Sequence, residues 1–252
     1  MRSSGASFAV RMHAVWKCVR VLIQVVSCWF SVTLVFPRLT VGQKDARIKA
    51  LSQALLAHMA IQLTIKGQPT AQGPVLLAAN HISWLDILVL RAAHDCRFVS
   101  KSEVRHWPLI GVLATGAGTL FIERESRRDA MRVVHHMAEH LRAGDILAIF
   151  PEGTTSNGVD LLPFHANLFQ AAISAHAPVQ PVALQFVDAA TGERSLAPCY
   201  IDDDTLLGSI WRTLTAPPLR AVVTFGAQQA CDGRDRRTWA ADVRNAVAHL
   251  RA

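Results

Sequence analysis

His81 and Asp86 are two residues whose types and spacing could perform acid–base chemistry. The apolar residues 75–79 predict a buried strand that ends directly at Asn80 and His81. On one continuous helix, a spacing of five residues would turn the two side chains about 140° apart. If His81 instead lies in a turn and Ser83 caps the following helix, the Asp86 carboxylate can reach one ring nitrogen. The other nitrogen is then left basic, as a general base requires.

Two further strand ends favour chemistry over the alternative, a loop histidine followed by a carboxylate that a helix dipole favours. Residues 119–122 predict a strand that leads to Arg124. Residues 146–150 predict another, which ends in a tight turn containing Glu152 and Gly153. Gly153 lets a substrate approach the backbone closely. We therefore expect the arginine and the glutamate to lie beside the histidine in one cleft.

Basic residues surround the predicted amino terminus of the helix that follows Arg124. Arg127, Arg128 and Arg132 lie in its first turns, and such a terminus suits a phosphate group. The alternative interpretation of these three arginines is a solvated helix face. Lys101 follows another short predicted strand and is a further candidate ligand for an anion.

Other chemistries have weaker support in the sequence. The G-x-S-x-G nucleophile elbow is absent, which argues against a serine hydrolase. Residues 136–140 match the H-x-x-E-H zinc signature. Helical geometry, however, turns His136 and His140 roughly 130° and 90° away from the apolar stripe of their helix, toward water. We expect no metal site there, and a zinc hydrolase remains an alternative.

The alternation of apolar strands with amphipathic helices predicts an α/β fold: a mixed, mostly parallel sheet flanked by helices. Residues 1–66 are expected to form amino-terminal, membrane-associated anchoring helices and a linker. Residues 67–252 are expected to form the catalytic α/β domain.

The composition indicates a protein that meets lipid. It is 51% hydrophobic and 18% charged, with a formal net charge of +7, which suits a negatively charged membrane surface or an anionic substrate. Nucleic acid is a weaker partner, because the chain has one tyrosine and no zinc-finger spacing. The five cysteines are scattered without C-x-x-C pairs, which indicates free thiols in a reducing compartment.

Residues 21–36 form an uncharged run with basic residues on both sides. As a helix the run spans about 24 Å, which is short of the roughly 30 Å hydrocarbon core. The symmetric charges favour a segment that lies in one leaflet, and crossing a locally thinned bilayer is the alternative. Residues 44–60 carry an apolar helical stripe that could pair with this segment or pack on the domain.

Four stretches, in order, resemble motifs of the lysophosphatidic acid acyltransferase family, the membrane glycerolipid acyltransferases. Residues 80–86 resemble Asn-His-x-Ser-x-x-Asp, and residues 118–124 resemble Gly-x-x-Phe-Ile-x-Arg. Residues 150–156 resemble Phe-Pro-Glu-Gly-Thr-x-Ser, and residues 178–184 resemble the last, proline-punctuated strand. The resemblance covers roughly residues 75–186.

The resemblance implies acyl transfer from a thioester, acyl-CoA or acyl carrier protein, to the hydroxyl of a lysophospholipid, most directly 1-acylglycerol 3-phosphate, giving phosphatidic acid. No cofactor is implied beyond this co-substrate. His81 takes the proton of the acceptor hydroxyl, and Asp86 holds the ring. Arg124 and Lys101 hold the acceptor phosphate. Glu152 binds the glycerol hydroxyl or orients its loop, and N–H groups near Gly153 stabilise the oxyanion.

Because thioester carriers are cytosolic, we expect the catalytic domain on the cytosolic face of the cytoplasmic membrane, in contact with membrane lipids. The chain departs from the family at His165 and Asn167, where lysine and glycine are frequent. This departure keeps another acceptor, such as lyso-ornithine lipid, as the alternative. A noncatalytic, basic membrane-surface protein is a third hypothesis.

Overall fold

A computed structural model of the chain describes residues 3–122 and 127–252. The strands in these ranges are β1 (Ile61–Lys66), β2 (Val75–Ala79), β3 (Arg97–Lys101), β4 (Leu120–Ile122), β5 (Ile146–Ile149), β6 (Val179–Asp188) and β7 (Leu219–Phe225). The α-helices are α1 (Ser3–Phe30), α2 (Val41–His58), α3 (Leu85–Ala93), α4 (Ile110–Gly116), α5 (Arg127–Arg142), α6 (Phe169–Ala175), α7 (Leu206–Thr215) and α8 (Arg236–Leu250).

The strands form one mixed sheet in the order β1-β7-β6-β2-β5-β3-β4. The pairs from β6 to β4 are all parallel, whereas β6 and β7 are antiparallel, and β1 is parallel to β7. This arrangement confirms the predicted mixed, mostly parallel sheet. The carboxyl ends of β2, β5, β3 and β4 therefore lie at the same edge, where open α/β sheets bind ligands.

Strand β2 contributes to the core on both faces of the sheet. Leu77 packs in one apolar cluster with Leu85 of α3. Leu76 packs in the opposite cluster with Met137 of α5 and Trp239 of α8. Successive strand residues point to opposite faces, so helices on both faces require a continuous apolar strand. Packing on both faces thus fixes the β2 backbone as far as Ala79, the residue directly before Asn80.

The helix after His81 begins later than the sequence pattern indicates. Helix α3 starts at Leu85, its cap residue Trp84 makes no side-chain cap, and Ser83 stays in the preceding turn. The buried Ser83 Oγ nevertheless accepts the N–H of Leu85 (3.3 Å). Helix α7 was not predicted from the sequence.

Helix α1 is longer than the uncharged run, because it also includes the basic residues before it. It continues through a π-helical turn, Ser31–Val35, and a 3-10 turn, Phe36–Arg38. Among the described residues, the stretch Arg11–Arg38 is long and apolar enough to cross a membrane. One side of this stretch packs on the domain: Lys17 Nζ donates to the Leu214 carbonyl (3.3 Å).

Helix α2 contacts both the anchor and the domain. Arg47 Nε donates to Ser31 Oγ (3.3 Å), and Gln53 Nε2 donates to the Ala92 carbonyl (3.1 Å). Its amino terminus is fixed by a capping box between Thr40 and Gln43. Helix α2 therefore does both things that its apolar stripe allowed: it pairs with the amino-terminal segment and it packs on the domain.

Candidate active site

His81 lies in the turn after β2 and is held by Asp86. Its Nδ1 is 2.8 Å from Asp86 Oδ2, and its side chain is 19% exposed, whereas that of Asp86 is fully buried. Nε2 forms no hydrogen bond with any residue that the structure describes. In the tautomer in which Nδ1 donates to the carboxylate, Nε2 is the basic nitrogen. The pair thus has the geometry of an oriented general base.

The Asp86 carboxylate also organises the turn that carries the histidine. Its Oδ2 accepts the backbone N–H groups of Ile82 (2.6 Å) and Ser83 (2.9 Å), in addition to the imidazole. A carboxylate at the start of a helix is favoured by the helix dipole as well. The turn and the ring are therefore fixed by the same oxygen.

Two contacts that the sequence does not predict fix the ring and the turn that carries it. The His81 ring stacks on Phe150, with centroids 4.0 Å apart and an interplanar angle of 7°. The Asn80 side chain forms hydrogen bonds with both backbone groups of Leu184 in β6: Nδ2 donates to the Leu184 carbonyl (3.0 Å) and Oδ1 accepts the Leu184 N–H (2.7 Å). The adjacency of β2, β5 and β6 produces both contacts, and no local pattern indicates it.

Glu152 connects the two loops of the site. Its Oε1 accepts the N–H of His81 (2.7 Å), and its Oε2 accepts the N–H of Leu162 (2.9 Å). The residue is buried, and burial raises the pKa of its carboxyl, partly offset by these two hydrogen bonds. Of the two roles expected for Glu152, this geometry supports orienting the loop.

We expect Glu152→Gln to lower the free energy of unfolding by about 1–3 kcal/mol, because the new side-chain NH₂ group replaces an oxygen that accepts a backbone N–H and so faces a donor without an acceptor. The pKa of Glu152 is raised in the folded state, so its carboxyl contributes stability at low pH that the wild type loses as pH rises through that pKa. The variant has no carboxyl at this position and lacks this contribution at every pH. Unfolding in detergent at several pH values should show the difference between the two proteins narrowing as pH rises. Glu139→Gln, at an exposed glutamate of α5, is the control and should have little effect. A higher KM for the acceptor with unchanged stability would instead indicate a substrate ligand.

Gly153 adopts a positive φ of 74° in the turn after β5. A Cβ atom built on it lies 2.8 Å from the His165 ring, so the ring occupies the space that a side chain needs. The Gly153 N–H donates to the Phe150 carbonyl (3.1 Å) and closes the turn. The departure from the family at His165 thus lies directly against the candidate site.

We expect Gly153→Ala to lower the transfer rate on the order of tenfold or more, because it displaces this loop. Gly192→Ala is the matched control: Gly192 has nearly the same φ, 75°, and open space around its Cβ position. The control should cost about 1–2 kcal/mol of stability and leave the rate unchanged. Gly153→Ala combined with His165→Ala should recover part of the rate. Equal rates for the two alanine variants would contradict the close approach.

The carboxyl ends of β3 and β4 open beside a basic cleft. Lys101 is exposed at the end of β3 and pairs with Ile122 of β4, whereas Arg124 lies outside the described residues. Beyond these ends is a cleft of about 360 Å³, and Arg105, His106 and Arg132 contribute to its lining. Arg105 and His106 belong to no recognisable sequence pattern, so their place in this cleft was not predicted.

A second His-x₄-Asp pair occurs elsewhere in the chain. His140 Nδ1 is 2.7 Å from Asp145 Oδ2, which also accepts a hydrogen bond from Arg97 (2.8 Å). Asp145 precedes β5 and Arg97 begins β3, so this pair lies at the amino-terminal edge, opposite His81. Among residues 3–122 and 127–252, no three His, Cys, Asp or Glu side chains cluster to hold a metal ion.

The chain matches the family model described as Acyltransferase over residues 60–185. It is 40% identical over 196 residues to a 1-acyl-sn-glycerol-3-phosphate acyltransferase of Neisseria gonorrhoeae, covering 77% of this chain and 76% of the relative. It is 43% identical over 160 residues to a lyso-ornithine lipid O-acyltransferase of Pseudomonas aeruginosa, covering 64% of this chain and 60% of the relative.

Among solved structures, the 1-acyl-sn-glycerophosphate acyltransferase of Thermotoga maritima has a TM-score of 0.62 at 18% identity, over 94% of this chain and 98% of that chain. At this identity the likeness shows the fold, and it agrees with the predicted α/β class. The family match and the identity to the Neisseria protein confirm the resemblance found in the motifs. The chain therefore belongs to the acyltransferase family of the 1-acyl-sn-glycerol-3-phosphate acyltransferases.

Proposed function

We propose that the protein transfers a fatty acyl group from acyl-CoA or acyl carrier protein to the free hydroxyl of a lysophospholipid. The proposed acceptor is 1-acyl-sn-glycerol 3-phosphate, which gives phosphatidic acid. The observation that carries the proposal is the His81 ring, held by a buried Asp86 at the carboxyl edge of the sheet. Relatives named for this acceptor, 40% identical to the chain, support the choice.

In the proposed reaction the acceptor hydroxyl is the nucleophile. Nε2 of His81 takes the hydroxyl proton while the oxygen attacks the thioester carbonyl, and Asp86 stabilises the imidazolium that forms. The tetrahedral intermediate then breaks its C–S bond, and the thiolate leaves with the proton from His81. The thioester is already activated, so no acyl-enzyme and no bound cofactor is needed.

The loop after β5 supplies candidate donors for the oxyanion. The N–H of Gly153 is used within the turn. Those of Thr154 and Thr155 form no hydrogen bond within the described part of the chain, and these two residues come immediately after Gly153. We propose that one of them faces the thioester oxygen during transfer.

We propose that the acceptor phosphate binds at the basic edge formed by the ends of β3 and β4. Lys101 and Arg124 are the proposed ligands, and Arg105 and Arg132 of the neighbouring cleft add positive charge. A lysolipid with a neutral headgroup makes none of these charge-assisted contacts, so we expect it to be a poor acceptor.

The proposed location is one leaflet of the cytoplasmic membrane, with the domain on the cytosolic face. Ala14 of α1 is buried in the domain core, and Val32, about 27 Å further along, lies against Gly116 of α4. A helix that is flanked by the domain over this length is poorly placed to cross a bilayer. The five unpaired cysteines agree with a cytosolic domain.

Lyso-ornithine lipid is the second candidate acceptor. The His165 ring lies against Gly153, and family members often carry lysine in place of this histidine, which favours a different acceptor. The Pseudomonas relative named for that reaction also favours it. A lyso-ornithine acceptor carries no phosphate, so the basic edge favours the first candidate.

A panel of acceptors tests the proposal. The purified protein in detergent micelles is incubated with a labelled acyl thioester and 1-acylglycerol 3-phosphate, lyso-ornithine lipid or lysophosphatidylcholine in separate reactions. Acyl-CoA and acyl carrier protein are compared as donors. We expect the fastest incorporation of label with 1-acylglycerol 3-phosphate, giving labelled phosphatidic acid. Transfer to lyso-ornithine lipid alone would replace the first acceptor with the second, and no transfer to any acceptor would contradict the proposed function.

A further inference from the structure

Residues 107–112, here named the apolar loop, expose four large apolar side chains where the 3-10 turn Ser102–His106 leads into the first turn of helix α4. Trp107, Leu109, Ile110 and Val112 are 49%, 36%, 37% and 39% exposed. Single exposed apolar residues are ordinary, but four within six residues form a patch that indicates an interaction surface.

The fold holds this loop in its exposed shape. Leu109 has a positive φ of 66°, a conformation that is costly for a leucine and that persists only where the surroundings impose it. A Cβ atom on Gly111 would lie 2.1 Å from the Arg105 carbonyl oxygen, so the chain folds back tightly on Arg105. The backbone of the apolar loop is therefore fixed in a conformation that exposes these side chains.

The apolar loop is continuous with the lipid-facing anchor. Gly116, at the end of α4, lies against the Val32 side chain in the continuation of α1. Helix α1 exposes apolar residues on the side away from the domain, among them Leu22 and Ile23. Arg105 lies two residues before the loop, and a cation beside an apolar tip matches anionic headgroups above acyl chains.

We propose that the apolar loop inserts into the same leaflet as α1, with the acyl chains of an anionic bilayer as its occupant. The insertion places Arg105 and His106, and with them the basic cleft, at the depth of the headgroups. An amphiphilic acceptor can then enter the site sideways from the leaflet without leaving the membrane.

Quenching of tryptophan fluorescence by brominated lipids tests the depth of Trp107. The chain of 252 residues carries Trp16→Phe and Trp29→Phe, so that α1 has no tryptophan. It is bound to phosphatidylcholine–phosphatidylglycerol vesicles with brominated acyl chains. We expect a strongly quenched component that Trp107→Phe removes. An equal quenched fraction with and without Trp107 would overturn the proposal.

Partitioning of a loop variant into the same vesicles gives the second measurement. Trp107→Ser, Ile110→Ser and Val112→Ser together should weaken partitioning about tenfold or more, whereas α1 retains residual binding. Val159→Ser with Leu196→Ser is the control, since it removes two exposed apolar side chains elsewhere and should have little effect. Unchanged partitioning of the loop variant, with an unchanged melting temperature, would also overturn the proposal. No substrate is present, so neither result depends on the proposed reaction.

Discussion

His81→Ala is expected to lower the rate of acyl transfer by about 10²- to 10⁴-fold, the usual contribution of a general base. The ring is partly exposed, and Asp86 is the one hydrogen-bond partner it has among residues 3–122 and 127–252. Its removal therefore leaves the sheet and its two core clusters intact. We expect a nearly unchanged melting temperature, and the measurement is the initial rate with 1-acylglycerol 3-phosphate and acyl-CoA at saturating concentrations.

The chain provides its own control for this substitution. His140 has the same spacing and nearly the same Nδ1–Oδ2 distance to its aspartate, 2.7 Å. Its pair lies at the opposite edge of the sheet, however, more than about 20 Å away, because Val75 pairs with Ile146 and His81 comes six residues after Val75. His140→Ala should change the rate by less than about twofold, since it removes no general base. A similar loss in both variants would indicate a stability effect and contradict the role of His81.

Asp86→Asn is expected to lower the rate by about 10²- to 10⁴-fold and the free energy of unfolding by about 1–3 kcal/mol. With the amide oxygen in place of Oδ2, all three hydrogen bonds survive, but the NH₂ group takes the position of Oδ1. That atom is buried and has no hydrogen-bond partner among the described residues. The neutral amide also no longer stabilises the imidazolium.

For Asp86→Asn, the loss of transfer rate has to be measured separately from the loss of stability. Stability is measured by denaturant unfolding, and kcat and KM are measured on the fraction that stays folded. We expect the loss in kcat, with KM for the acceptor little changed. Asp145→Asn, in the pair at the opposite edge, should cost less than about 1 kcal/mol, because that pair is partly exposed. An active Asp86→Asn protein would contradict the proposed role of the carboxylate.

The sequence pattern was sufficient for features that depend on neighbouring residues. A continuous apolar run predicts a doubly covered strand, so β2, and with it the position of His81 at a sheet edge, could be predicted. The pairing of His81 with Asp86 was also predictable, because five residues allow a turn to bring the two together. The start of α3 was misplaced by two residues: Ser83 does accept the N–H of Leu85, but its own N–H donates to Asp86 and it stays in the turn before the helix.

Features that depend on contacts between distant elements could not be predicted. Glu152 was identified from its motif, but its use as an acceptor for His81 and Leu162 requires the relative placement of three loops. Phe150 looked like an ordinary strand residue, and its stacking on His81 follows from the order of the strands. Arg105 joins the basic cleft only because its 3-10 turn folds beside α5.

Thiol release in a single turnover, with and without acceptor, tests the central claim most directly. The claim is that His81 activates the acceptor hydroxyl, which itself attacks the thioester. We expect enzyme mixed with acyl-CoA alone to release no burst of free CoA, and addition of 1-acylglycerol 3-phosphate to release one CoA for each ester formed. A burst equal to the enzyme concentration in the absence of acceptor would make a residue of the protein the nucleophile and contradict this account.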